Sequence, residues 1–297
     1  MGTKKRQNKI WEYREMLQAW RKAGVMTWAG YILGFPTDTP ESIARDIEII
    51  KAELPIDILE FFCLTPLPGS EDHKKLQTGG VPMDPDMNNY DLEHVCTAHP
   101  TMSKEAWAKV YRDAWSLYYT DQHVETVLRR AWVSGFKMRK VYEALTFFSG
   151  AVRIEDVHPL QLGIARRIVR TQRRHGFPIV NPLRFYPHRA TKLLAEVVSW
   201  LWLLGRYRAI AKRIEKDPDA KGYMDAALAP IPDDPVKDHL VELFADKIPK
   251  THGAPLREPT RAVADESSVR HRPQDNENAR RLTTLELLVP VVNQAIK

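Results

Sequence analysis

Two apolar runs of strand length, residues 25–33 and 56–64, bracket one helical stretch with clear start and stop signals. The order strand–helix–strand constrains the fold more than any other feature of the chain. It makes a right-handed crossover to a parallel neighbour the expected connection. The loops after the two strands then share the carboxyl edge of one sheet, where α/β proteins place their ligands. The intervening helix is marked by Thr39 as cap, Pro40 at its first position and Glu41 in its first turn. Ile43, Ile47, Ile50 and Leu54 supply its apolar stripe, and Pro55 stops it.

Around this unit the periodicity is mostly helical. Residues 8–23 read as a helix through Ile10, Tyr13, Met16, Leu17 and Trp20, ended by Gly24. Residues 77–100 are rich in turn formers. Ser103 caps a helix that carries Trp107, Tyr111, Trp115 and Tyr118 on one face. Residues 125–216 read as helical segments broken at Gly150, at 176–178 and at 182–187, where Gly and Pro recur. Residues 251–279 carry almost no large apolar side chains and read as disordered, and residues 282–296 as a short terminal helix.

Composition narrows the class. A 43% hydrophobic and 28% charged chain supports a core and argues against a membrane-spanning protein. The most apolar window, residues 193–204, contains Glu196 and falls short of the roughly 20 residues a bilayer span needs. The N-terminus is basic (Lys4, Lys5, Arg6, Lys9), but no apolar run follows it, so a cytoplasmic protein is expected. The two cysteines, Cys63 and Cys96, are too few for a disulfide framework and too few for an iron–sulfur cluster that takes three or four thiolates.

Charge is unevenly placed. Residues 129–216 carry 19 basic against 5 acidic residues, which asks for an anionic partner. Three readings stand. Arg166, Arg167, Arg170, Arg173 and Arg174 recur at helical spacing and fit a solvated helix face. Trp200 to Leu204, followed by Arg206, Arg208, Lys212 and Arg213, fits an interfacial helix on an anionic membrane surface. Nucleic acid ranks below both, because no aromatic platform or RNA-binding module accompanies the arginines.

Several residues have the chemistry of a site. Gly34-Phe35-Pro36-Thr37-Asp38-Thr39 leads into a helix N-terminus, whose free N–H groups suit a carboxylate or phosphate; an ordinary capped turn is the commoner outcome of the same pattern. His94, Cys96 and His99 offer three soft ligands, with His73 or Cys63 as a fourth for zinc; packing of a loop is again the commoner outcome. Cys63 fits a buried small hydrophobe. Glu60, on the second strand with Asp57, points into the site if further strands complete a barrel and is merely solvated if it lies at an edge.

Gly30-x-Ile32-x-Gly34-Phe35-Pro36-x-x-Thr39-x-Glu41-Ser42 resembles the fifth-strand motif of radical S-adenosylmethionine (SAM) enzymes, especially those with an N-terminal cobalamin-binding domain. Leu64-Thr65-Pro66-Leu67-Pro68-Gly69-Ser70 resembles the turn after their sixth strand. The aromatic helix near residues 104–119, with His123, Arg129 and Arg130 after it, is similar to their helical extension. The resemblance implies an α/β fold, a partial radical SAM (β/α) barrel of the last two strand units, followed by a mostly α-helical C-terminal region. The implied divisions are a barrel part at 1–75, a helical extension at 76–130, a basic helical region at 131–216 and a Pro- and charge-rich tail at 217–297. It implies that Gly30, Ile32 and Gly34 touch the adenosyl group of SAM, that Phe35 and Pro36 shape the pocket wall, and that Thr65, Pro66, Leu67, Pro68 and Gly69 face the substrate. The complete family proteins hold SAM, a 4Fe-4S cluster and, in this branch, cobalamin.

The CxxxCxxC loop that binds the cluster does not occur in this sequence, nor do the four preceding strands. The expectation is therefore the C-terminal fragment of a radical SAM enzyme, truncated or split, inactive alone and completed by an N-terminal half on a separate chain. A basic adaptor for membranes or partners, with a vestigial α/β unit, is the alternative.

Overall fold

The computed structural model describes residues 10–161, 168–173 and 176–231. Helix α1 (Ile10–Lys22) leads into strand β1 (Trp28–Leu33), helix α2 (Pro40–Glu53), strand β2 (Ile58–Cys63) and the short helix α3 (Glu71–Thr78). Helices α4 (Lys104–Tyr118), α5 (Asp121–Val133), α6 (Met138–Gly150) and α7 (Pro182–Lys216) follow. The expected disorder and terminal helix beyond residue 231 lie outside the described residues, as do the basic N-terminus, Arg166, Arg167 and Arg174.

β1 and β2 pair in parallel, with Gly30 opposite Glu60 and Ile32 opposite Phe62. Their register is locked where the strands begin. Asp57, fully buried, accepts from the Thr27 amide (2.8 Å) and the Thr27 hydroxyl (3.0 Å), and it pairs with the buried Arg21 guanidinium from α1. A slip of one residue would break this cluster and reverse both strand faces.

The two faces differ. Ala29, Tyr31 and Leu33 share one with Leu59, Phe61 and Cys63. It is closed by α2 and α4: the Tyr31 hydroxyl donates to Asp46, and Phe61 meets Trp115 and Tyr118 edge-on. The other face carries Trp28, Gly30, Ile32, Glu60 and Phe62. There α6 covers only the start, through Phe148 on Trp28 (ring centroids 4.8 Å apart), while Gly30 and Ile32 stay exposed.

The expected partial barrel is not what forms. Among the described residues the sheet is open and has two strands, and helices make up most of the rest. Two strands cannot close on themselves, and the face that would line a barrel is partly occupied by α6. The Thr27 and Leu33 carbonyls accept from the Ile58 and Leu64 amides. The backbone groups of Trp28, Gly30 and Ile32 therefore point to the opposite edge, where no described residue pairs with them. The matching edge of β2 is covered, with the Cys63 amide bonded to the Leu92 carbonyl (2.6 Å).

Long-range arginines finish α2. Buried Arg130 from α5 donates to the Lys51 and Leu54 carbonyls (2.9 and 3.1 Å) and pairs with Asp225 (2.7 Å). A cation over the last carbonyls of a helix meets both their hydrogen-bonding need and the negative helix end. The aromatic face of α4 is buried as its spacing predicts. Pro182–Pro187, read as a break, instead opens the 35-residue α7. Pro182 occupies the first turn, and Pro187 forfeits only one bond close to the helix start. Arg170 lies in a turn and Arg173 in the irregular segment after it, rather than on the expected helix.

Asp57→Ala is expected to lose about 3–5 kcal/mol of unfolding free energy in urea titrations, because it strands buried Arg21 without its partner. The double variant Arg21→Met/Asp57→Leu should lose distinctly less.

Candidate functional site

The carboxyl edge of the sheet is built from the two turns. Gly34 adopts φ 100°, and a β-carbon there would lie 2.0 Å from the Trp107 ring, so only glycine fits. The Gly34 and Phe35 amides both donate to one Asp38 carboxylate oxygen at 2.9 Å. Thr39 and Ser42 cap α2 reciprocally: the Ser42 amide donates to the Thr39 hydroxyl (3.1 Å) and the Thr39 amide to the Ser42 hydroxyl (2.9 Å). The anion expected at this helix start is thus the chain's own buried Asp38. The Phe35 and Asp38 carbonyls bond to the His99 imidazole (2.8 Å) and the Thr101 hydroxyl (2.9 Å), which anchors the turn to the loop before α4.

The five positions assigned to the cofactor fall into two groups. Gly30 and Ile32 lie exposed on the open sheet face, and Pro36 is exposed on the turn. Gly34 is buried beneath Trp107, and Phe35 is half-buried. On the substrate side Pro66 is buried, Thr65 is half-buried with its hydroxyl on the Cys63 carbonyl (3.1 Å), and Leu67, Pro68 and Gly69 are exposed.

Between these groups lies Glu60. It is neither solvated nor paired with a cation: its side chain is buried and one carboxylate oxygen has no hydrogen-bond partner among the described residues. Burial pushes the carboxyl from 4.5 up to about 7, and the Trp28 indole N–H draws it back only partly. His158 stacks near Phe62 (centroids 4.9 Å apart) and is pushed down to about 4 by burial, so it is neutral at pH 7. This face therefore holds, beneath its surface, a carboxyl that exchanges its proton near neutrality, while His158, packed on Phe62 of the same strand, is uncharged. His158 stands alone between Val157 and Pro159, and no local pattern in the sequence singles it out.

The zinc set does not assemble. His94 is exposed and bonds Asp91 (2.8 Å), and His99 is held by Phe35. The buried Cys96 thiol donates to the Asn89 carbonyl (3.3 Å), and that of Cys63 to the Glu93 carbonyl (3.2 Å). Burial raises both thiols above their ordinary pKa, which disfavours the thiolates a metal needs. Asp91, Glu93 and His94 do bring ligand atoms within 4.8 Å of one another, on a half-exposed loop. A 4Fe-4S cluster does not fit this chain either, since two inward-turned cysteines cannot supply three thiolates.

No protein-family model, curated protein or solved structure matches the chain. Among the described residues, no helix is long and apolar enough to cross a membrane.

Because folded Glu60 holds its proton to about 7 and the unfolded chain ionises near 4.5, stability is expected to fall as pH rises through that window. The loss should be about 1–2 kcal/mol after solvent screening. Urea titrations at pH 5 and pH 8 should show it in the native chain and not in Glu60→Gln. Asp38→Ala, which frees the two turn amides, should cost about 1–3 kcal/mol in the same assay.

Proposed function

We propose that this chain is the C-terminal part of a radical SAM enzyme. In this reading its open sheet face and carboxyl-edge turns form one side of the pocket for SAM and substrate. The segment that binds the cluster lies elsewhere, on a further stretch of polypeptide or on a separate chain, and so does any cobalamin domain.

One observation carries the reading. Of the motif residues that the resemblance assigns to the adenosyl group, Gly30 and Ile32 are left exposed on an edge that has no partner strand among the described residues. The opposite face of the sheet is covered by α2 and α4. The Phe62 ring lies over Gly30, where an added β-carbon would come within 2.9 Å of it, and Ile32 offers an exposed apolar surface of the kind on which a purine packs. Glu60 supplies a polar group at the same place. With its proton it donates one hydrogen bond, and without it accepts several. No step of radical chemistry is assigned to these residues, and the two cysteines take no part.

The test pairs the chain with the CxxxCxxC-bearing polypeptide encoded beside it or continuous with it, reconstituted with iron and sulfide under anaerobic conditions. 5′-Deoxyadenosine should form only when both parts are present. Ile32→Asp and Ile32→Ala, at an exposed position, should lower SAM retention, by about tenfold or more for the charged variant, as expected for charging an apolar contact. Unchanged thermal melts would show that the fold survives. Equal SAM retention by both variants, or no product from the assembled parts, rejects the reading.

A further inference from the structure

Helix α7 is apolar on two opposite sides. Trp200, Leu203, Tyr207, Ile210 and Ile214 form one stripe and are buried against α5 and α6. Leu183, Leu194, Val198 and Leu201 recur on the other side, and nothing described covers them. Leu183 is 84% exposed, Leu194 66%, Leu201 64% and the neighbouring Trp202 63%. A surface helix ordinarily shows one apolar stripe and one polar face. The sequence placed an interfacial helix at Trp200 to Leu204; the fold divides that run, turning Trp200 and Leu203 inward and Leu201 and Trp202 outward.

The exposed stripe extends beyond the helix. Phe177 and Ile179, in the segment leading into α7, are 65% and 56% exposed. Residues 182–195 carry no buried side chain, so among the described residues the first four turns or so of α7 are its least covered part. Basic residues concentrate in the same region, although Arg206 and Arg213 are paired with Asp121 and Glu125 of α5. Residues 168–213 hold ten Lys and Arg and a single acid, Glu196, which is buried near Arg189 and Lys192. Arg208 and Lys212 continue the outer stripe toward its C-terminal end, and the Arg206 guanidinium lies 5.0 Å from the centre of the Trp202 ring.

We infer that this face of α7 docks onto an anionic lipid surface, with the stripe lying in the interface and the cations among the headgroups. Aliphatic side chains at the centre of the stripe have no counterpart in a nucleic acid, which would call for stacking platforms. A second copy of the chain would set one cationic band against another. An anionic bilayer answers both the apolar area and the charge. The inference is independent of the SAM pocket, because the stripe belongs to a different surface and its test involves neither SAM nor iron.

Sedimentation of the full chain with vesicles of phosphatidylcholine, with and without phosphatidylglycerol, tests it. Binding should require the anionic lipid and weaken with added salt. Leu194→Gln/Leu201→Gln should weaken it by about tenfold or more, since two buried aliphatic contacts are lost. Arg208→Gln/Lys212→Gln should weaken it by about fivefold per charge removed. Thermal melts should match the parent, as all four side chains are exposed. Failure to sediment with any vesicle overturns the inference. So does equal binding to neutral vesicles, or a dimer in solution that Leu194→Gln/Leu201→Gln dissolves.

Discussion

The buried Asp57 carboxylate fixes the relation of the two strands. It holds the Thr27 backbone and hydroxyl at the start of β1 and the Arg21 guanidinium from α1, all out of water. A charge so placed is tolerable only with its partners in position, so the cluster selects one register. That register puts Gly30, Ile32, Glu60 and Phe62 on one face and the large aromatic contacts on the other. It also sends the backbone groups of Trp28, Gly30 and Ile32 to the free edge. The character of the carboxyl edge follows from a contact at the opposite end of the sheet.

What could be read from the sequence was local. Thr39, Pro40 and Glu41 announce α2, and the spacing of Trp107, Tyr111, Trp115 and Tyr118 gives the buried face of α4. The rest depended on residues far apart in the chain. Asp38 taking the amides of its own turn is a matter of side-chain aim, which spacing leaves open. Arg130 reaches carbonyls nearly eighty positions away. Pro187 reads as a breaker until its place near the start of α7 is known. The expected barrel failed for a reason outside any motif, since closure depends on the number of strands. In the 200–204 run, inner and outer residues separate only once α5 and α6 pack on α7.

Two features of the structure remain without an internal purpose, and each is a surface. One is the edge and outer face of β1, where the chain presents backbone groups and an exposed isoleucine. Unpaired strand edges are usually blunted by charge, proline or a covering loop; among the described residues the β2 edge is covered and the β1 edge is not. The other is the outer stripe of α7. They lie on different elements, and the partners proposed for them differ, a polypeptide that adds to the sheet and an anionic bilayer.

Hydrogen–deuterium exchange at the β1 backbone bears most directly on the central claim. In the chain alone the Trp28, Gly30 and Ile32 amides should exchange far faster than those of Ala29 and Tyr31, which face β2. Adding the cluster-bearing polypeptide should protect all three. Formation of a stable, SAM-retaining complex with these amides still exchanging freely would contradict the account.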